Sequence, residues 1–311
     1  MPDRRKLCAR HVKTILKRSP MPRNQIAAFS GLSNTYIRDL EAGNYASVRR
    51  EKLIALAVAV NINLQETDRL LEIFDRTPLT ADDIPTFLET AAGQRASGAL
   101  LPLRDGFPLE LALLSAERRP GPQVVVNPQP PFSLFEEGHR RHIERRNLDD
   151  HPIYGELVEA ISRERRRVLD QNLARHRVEQ FICRECLELY TRGEDDPADL
   201  QWRRKHIANV IRYLGEQPNF FLHVVQFCPT ASFTLKFAPD TAPNGDQIFL
   251  VFWPRHQIWG KRSGRLSGFT TTNPVVIDNF KEEVASLSRV VVEEFQRRER
   301  LAAYLRGLIA P

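Results

Sequence analysis

The sequence contains no run of the roughly 18–20 uninterrupted apolar residues that a bilayer-spanning helix requires. No apolar stretch follows the polar opening Met1-Pro2-Asp3-Arg4-Arg5-Lys6, and Lys13, Lys17 and Arg18 interrupt the segment behind it, so neither a secretory leader nor a membrane partner is expected. Cysteine is scarce: Cys8, Cys183, Cys186 and Cys228 are too few and too scattered for a disulfide framework. A cytoplasmic protein is the expectation. Methionine occurs only as Met1 and Met21. No internal repeat is visible. Hydrophobic residues at 42% and charged residues at 27% are ordinary globular values, so most of the 311 residues should fold.

Charge is present but unevenly spread. Residues 1–52 hold 12 Lys or Arg against 4 Asp or Glu, whereas the remainder holds 33 against 35. A basic module on a near-neutral body is the electrostatic footprint of a phosphate-backbone binder.

Apolar periodicity predicts five N-terminal helices, at about 5–18, 24–29, 34–42, 49–60 and 64–75. Ser19-Pro20-Met21-Pro22 breaks the first from the second. Gly31 sits at a turn, Ser33 or Asn34 can cap the third helix, and Gly43-Asn44 stops it. Residues 77–135 carry nine prolines and read as a partly ordered connector, with helices near 81–92 and 109–117 and a strand at 123–126. Residues 139–191 read as mostly helical, as do 198–215. Three strands follow at 220–227, 232–237 and 247–253, and one helix closes the chain at 278–308. The expected organisation is therefore a mainly α domain of five helices at 1–76, a proline-rich connector at 77–135, and an α+β domain at 136–311 with a small antiparallel sheet.

The run Ile26-Ala27-Ala28-Phe29-Ser30-Gly31-Leu32-Ser33-Asn34-Thr35-Tyr36-Ile37-Arg38-Asp39-Leu40-Glu41-Ala42-Gly43-Asn44 resembles the Cro/CI-type helix-turn-helix of the XRE family, and Leu53 to Asn61 resembles that family's fourth helix. The matches have physical reasons: Ala27 lets two helices cross closely, Gly31 accepts a tight interhelical turn, and Leu32, Ile37 and Leu40 seat one helix on the other. The resemblance covers roughly residues 5–75. It implies that the helix at 34–42 enters the major groove of double-stranded DNA, with Asn34, Thr35 and Arg38 reading base edges. Arg23, Asn24, Asn44, Tyr45, Arg49 and Arg50 would contact the backbone. Tyr36 touches DNA or packs in the core, and Asp39 faces away from phosphate or reads a cytosine amine. Glu41 is the acidic residue that would pair with the first helix, through Arg10 or Lys13. One such unit reads few base pairs, so a homodimer is expected, with the C-terminal region as dimerisation or sensor domain open to a small-molecule or protein effector.

Enzymatic readings find little support. Ala92-Gly93 has the look of a self-cleavage point, but no Ser-Met nucleophile segment exists. Residues 200–295 loosely resemble phospholipase D-type folds, yet lack a His-x-Lys-x4-Asp motif, so a non-enzyme is expected. Cys183-x-x-Cys186 is one knuckle where a structural zinc site wants two. With His176 and His206 near in sequence, it still reads as a pair of thiols inside a helix, with redox sensing as the alternative. No metal and no cofactor are expected. The aromatic residues of the strands read as core. The basic loop 260–265 and Thr270–Thr272 read as a solvated hairpin that could otherwise hold an anion, and the Arg clusters at 140–146 and 163–167 as an exposed, ion-paired helix. Two rivals stand beside the regulator: a DNA-tethered enzyme, and an antitoxin-like protein-interaction module.

Overall fold

The first helix, α1 (Arg4–Arg18), forms where Cys8, Ala9, Val12 and Ile15 share one buried stripe among basic residues. Helix α2 (Arg23–Ser30) starts behind Pro22 and ends at Gly31, whose φ of +66° only glycine adopts cheaply. Helix α3 (Asn34–Ala42) starts at Ser33, whose hydroxyl accepts the Tyr36 N–H at 3.0 Å, and ends at Gly43 with φ +76°. Helices α4 (Arg50–Val60) and α5 (Leu64–Ile73) follow, the latter capped by the Asn63 side chain. The computed structural model describes residues 4–19, 21–93, 98, 100–104, 107–139, 142, 151–192, 197–238, 245–252 and 266–310. Outside them lie the 260–265 loop, Trp253, Trp259 and most of the 140–146 arginine cluster.

The five helices are not a domain on their own. Every residue of α4 from Leu53 to Val60 is buried, and a helix apolar all round needs cover on every side. That cover includes α6 (Ile84–Gly93), which packs on α2 and α4. The same core continues through Leu79 and Phe87, through Phe107, Leu111 and Leu114 of α7 (Phe107–Glu117), and through Leu157, Ile161 and Val168 of α8 (Tyr154–Leu173). Polar bolts reinforce it. Asp68 accepts the Leu79 N–H at 2.5 Å and lies 2.8 Å from His151 Nε2. The segment expected to be a connector is thus part of the body.

The sheet corrects the expected small antiparallel one. Among the described residues it has seven strands: β1 (Leu101–Arg104), β2 (Gln123–Val126), β3 (Val178–Cys183), β4 (Phe220–Val225), β5 (Ser232–Lys236), β6 (Gln247–Val251) and β7 (Leu266–Thr271). Their order is β1-β7-β6-β5-β2-β3-β4, with β2, β3 and β4 mutually parallel and the other pairs antiparallel. Parallel pairing requires long crossovers. Here α8 lies between β2 and β3, and α9 (Arg184–Arg192) and α10 (Pro197–Glu216) lie between β3 and β4.

The pleat divides the core in two. Val178, Ile182, Phe220, Leu222 and Val224 meet α8, α9, α10 and α12 (Arg298–Ile309) on one face. Val124, Val126, Phe181, Cys183, Val225, Phe233 and Leu235 face α11 (Pro274–Arg289) on the other. The expected single closing helix is broken because the chain turns at Val290 and Val291 bridges antiparallel to Val225 of β4: Val292 donates to the Val224 carbonyl at 2.8 Å, and the Val290 carbonyl accepts from Gln226 at 3.2 Å. The β-branched Val291 and Val292 suit the bridge and the extended backbone after it. Phe220, Phe233 and Phe249 are core, as expected of the strand aromatics, but Phe227 and Phe252 are exposed. Thr270 and Thr271 are buried in β7 rather than open to an anion. Among the described residues no helix is long and apolar enough to cross a membrane.

Candidate nucleic-acid interface

Ile37 and Leu40 anchor α3 with no exposed surface, and α1 and α2 are the elements that hold it. With those two residues turned inward, the 3.6-residue period puts Asn34, Thr35 and Arg38 outward, and all three are exposed. Asn44 N–H donates to the Asp39 carbonyl at 2.8 Å, closing the C-terminal turn. Gly43 is required twice over, by its positive φ and because a Cβ there would press on the Arg5 carbonyl of α1 at 3.3 Å.

The residues expected at the DNA backbone divide into three groups. Asn24, Asn44 and Arg49 are exposed beside α3. Arg23 is exposed but paired with Glu41, which takes the place of the expected Glu41 contact to Arg10 or Lys13. Tyr45 is packed, its ring centroid 5.5 Å from that of Phe74, and Arg50 is committed elsewhere. The Arg50 guanidinium forks onto Asp83, with Nε 2.7 Å from Oδ1 and Nη2 2.6 Å from Oδ2, and also donates to the Pro78 carbonyl at 2.8 Å and the Thr77 carbonyl. Burial raises the pKa of the Asp83 carboxyl, but the Arg50 and Thr80 hydrogen bonds outweigh it and hold the net value below the ordinary range. Arg50 is thus tied into a clamp at the start of α4 and Tyr45 is packed on Phe74, unlike the exposed Asn24, Asn44 and Arg49.

Lys52 is an addition that sequence reasoning missed. Its Nζ lies 4.2 Å from the centroid of the half-buried Tyr36 ring. Burial pushes the Tyr36 phenol up in pKa, while the neighbouring Arg49 cation pulls it down. Arg49 and Lys52 thus put positive charge beside Tyr36, while Arg38 stands on the exposed face of α3. Among the described residues neither Arg38 nor Arg49 has an ion-pair partner.

Away from this face, a cavity opens between α7, α8 and the sheet, with Glu110, Glu117, Gln123, Arg165 and Gln180 in its walls. Arg165 was expected on an exposed helix face. It is instead buried, with Glu110 and Glu117 each 2.6 Å away. Gln180 Nε2 donates to the Gln129 carbonyl at 2.6 Å, while its buried Oε1 has no partner among the described residues. Cys183 and Cys186 do not share a helix: Cys183 ends β3 and Cys186 lies in the first turn of α9. No protein-family model matches this chain, and neither a curated protein nor a solved structure matches it.

Proposed function

We propose that this chain is a sequence-specific DNA-binding transcriptional regulator of the Cro/CI-type, XRE-family kind, acting in the cytoplasm as a homodimer. The observation that carries the reading is the exposure of Asn34, Thr35 and Arg38 together at the N-terminal end of a helix whose opposite side is fully packed. Arg38 is suited to a guanine edge and Asn34 to an adenine edge, and Thr35 can bond either. Arg49, Lys52 and Asn24 bind phosphates and set register without carrying sequence information. The body behind the helices serves dimerisation and effector binding rather than catalysis. Its cavity, walled largely by apolar side chains with Glu110, Glu117, Gln123, Arg165 and Gln180 among them, suits a small effector that is apolar over most of its surface.

Binding-site selection from random duplexes, followed by titrations at several salt concentrations, tests this. Arg38→Ala costs about 1–3 kcal/mol on the selected site and relaxes preference at one base pair. Arg49→Ala weakens binding to all duplexes alike and lowers the salt slope by about 1. Selection that enriches no sequence, or an Arg38→Ala protein with unchanged preference, overturns the assignment.

A further inference from the structure

Three of the four cysteines converge from two separate segments. Cys183 closes β3, Cys186 follows in the first turn of α9, and Cys228 lies three residues beyond the end of the adjacent parallel strand β4. Their Sγ atoms all lie within 4.8 Å of one another, and Cys186 and Cys228 are 3.6 Å apart. The cluster stands at the carboxyl ends of the parallel strands, where open α/β sheets present ligand sites.

We propose that Cys183, Cys186 and Cys228 form a three-thiolate site for one soft, thiophilic metal ion. The argument is geometric. A metal–sulfur bond of about 2.3 Å sets ligand sulfurs about 3.8 Å apart around a tetrahedral centre and about 4.0 Å apart around a trigonal one. The 3.6 Å pair lies close to those values and the other two lie within 4.8 Å, so closing the site needs shifts of no more than about 1 Å. The Cys186 N–H points at Cys183 Sγ from 3.2 Å, an arrangement that stabilises sulfur carrying negative charge. The positive end of α9 lies beside it. Cys183 is buried, whereas Cys186 and Cys228 are half-buried, so an ion has both a dry seat and a way in.

The donor set defines the class of ion. Among the described residues no histidine or carboxylate joins the cluster, so sulfur alone is offered. Sulfur donors select Zn²⁺ or Cu⁺ and reject Mg²⁺, Ca²⁺ and Mn²⁺. Three protein ligands leave a fourth position that water fills on Zn²⁺ and that Cu⁺ does not require. The sequence shows one knuckle and no second, and the thiol that completes this cluster, Cys228, lies 42 residues downstream of Cys186.

The test uses the full-length reduced protein, stripped with a chelator and handled without oxygen. Cd²⁺ titration should produce thiolate-to-metal charge-transfer absorption that saturates at one equivalent. Competition against chromophoric chelators for Zn²⁺ and, separately, for Cu⁺ then identifies which ion is preferred. Cys183→Ser, Cys186→Ser and Cys228→Ser should each weaken binding by more than about 100-fold, beyond the loss an outer-shell partner causes. Cys8→Ser, remote in α1, should change nothing. Cys228→Ser alters a half-buried position outside any helix or strand, and circular dichroism verifies that it folds. No charge-transfer band at one equivalent, unchanged affinity in folded Cys228→Ser, or a disulfide between any two of the three in protein kept reduced overturns the proposal.

Discussion

Arg50→Ala separates a structural arginine from its DNA-facing neighbour. The Arg50 side chain is 20% exposed and that of Asp83 10%, and the fork between them ties the start of α4 to the turn before α6. Truncation leaves the Asp83 carboxylate with the Thr80 N–H, 2.8 Å away, as its remaining strong donor, and frees the Thr77 and Pro78 carbonyls. Breaking a fully buried ion pair costs about 3–5 kcal/mol. The residual exposure of Arg50 admits water to the vacated site, so about 2–3 kcal/mol is expected here. The assay is paired chemical denaturation of wild type and variant between neutral and acid pH. Because the folded-state pKa of Asp83 lies below its ordinary 3.8, the stability this pair contributes is present above that value. It is lost as pH falls through the lower folded value, so the gap between the two proteins closes there. In DNA titrations Arg50→Ala should retain the wild-type salt slope, whereas Arg49→Ala loses about one unit. An Arg50→Ala protein with unchanged stability and a reduced slope would refute the clamp and return Arg50 to the phosphate surface.

Two further outcomes follow from the interior. His206 is fully buried, donates through Nε2 to the Pro131 carbonyl at 2.8 Å and accepts at Nδ1 from the Tyr190 hydroxyl at 2.7 Å; burial lowers its pKa from 6.5 to about 3. Such a depressed pKa stabilises the fold above 6.5 and loses that contribution towards 3, so between pH 7 and 5 wild type should lose about 2 kcal/mol that His206→Gln does not. Parallel stability curves for the two proteins would contradict this. Gly121→Ala should destabilise by at least about 2 kcal/mol, read by thermal melting, because φ is +136° and the new Cβ overlaps the Phe237 carbonyl oxygen.

How far the sequence reached depended on the range of the interaction involved. The five N-terminal helices and the outward face of α3 were legible because their caps and periodicity are local: Ser33, Gly31 and Gly43 act within a few residues of themselves. Strand β3 was missed because Val178, Phe181 and Ile182 follow the long α8 at helical spacing, while a parallel strand buried on both faces shows no alternation. Strand β1 was hidden by Pro102 and β7 by Gly268 and its hydroxyl residues. The partners of Arg50, Arg165 and Cys186 lie 33, 48 or 55, and 42 residues away, and no local pattern announces them. The five-helix boundary failed for the same reason: α4 was correctly read as strongly apolar, but what covers it comes from beyond residue 76.

The position of β2 bears on how the chain is made. It lies inside the sheet, flanked by β3 and β5, yet those neighbours emerge from the ribosome only after residues 178–183 and 232–236 have been synthesised. Until then a nascent chain carries Val124 to Val126 with their ladder groups unpaired, a segment open to mispairing. Native closure around it must await translation of most of the polypeptide, so maturation should be slow and should benefit from chaperone shelter.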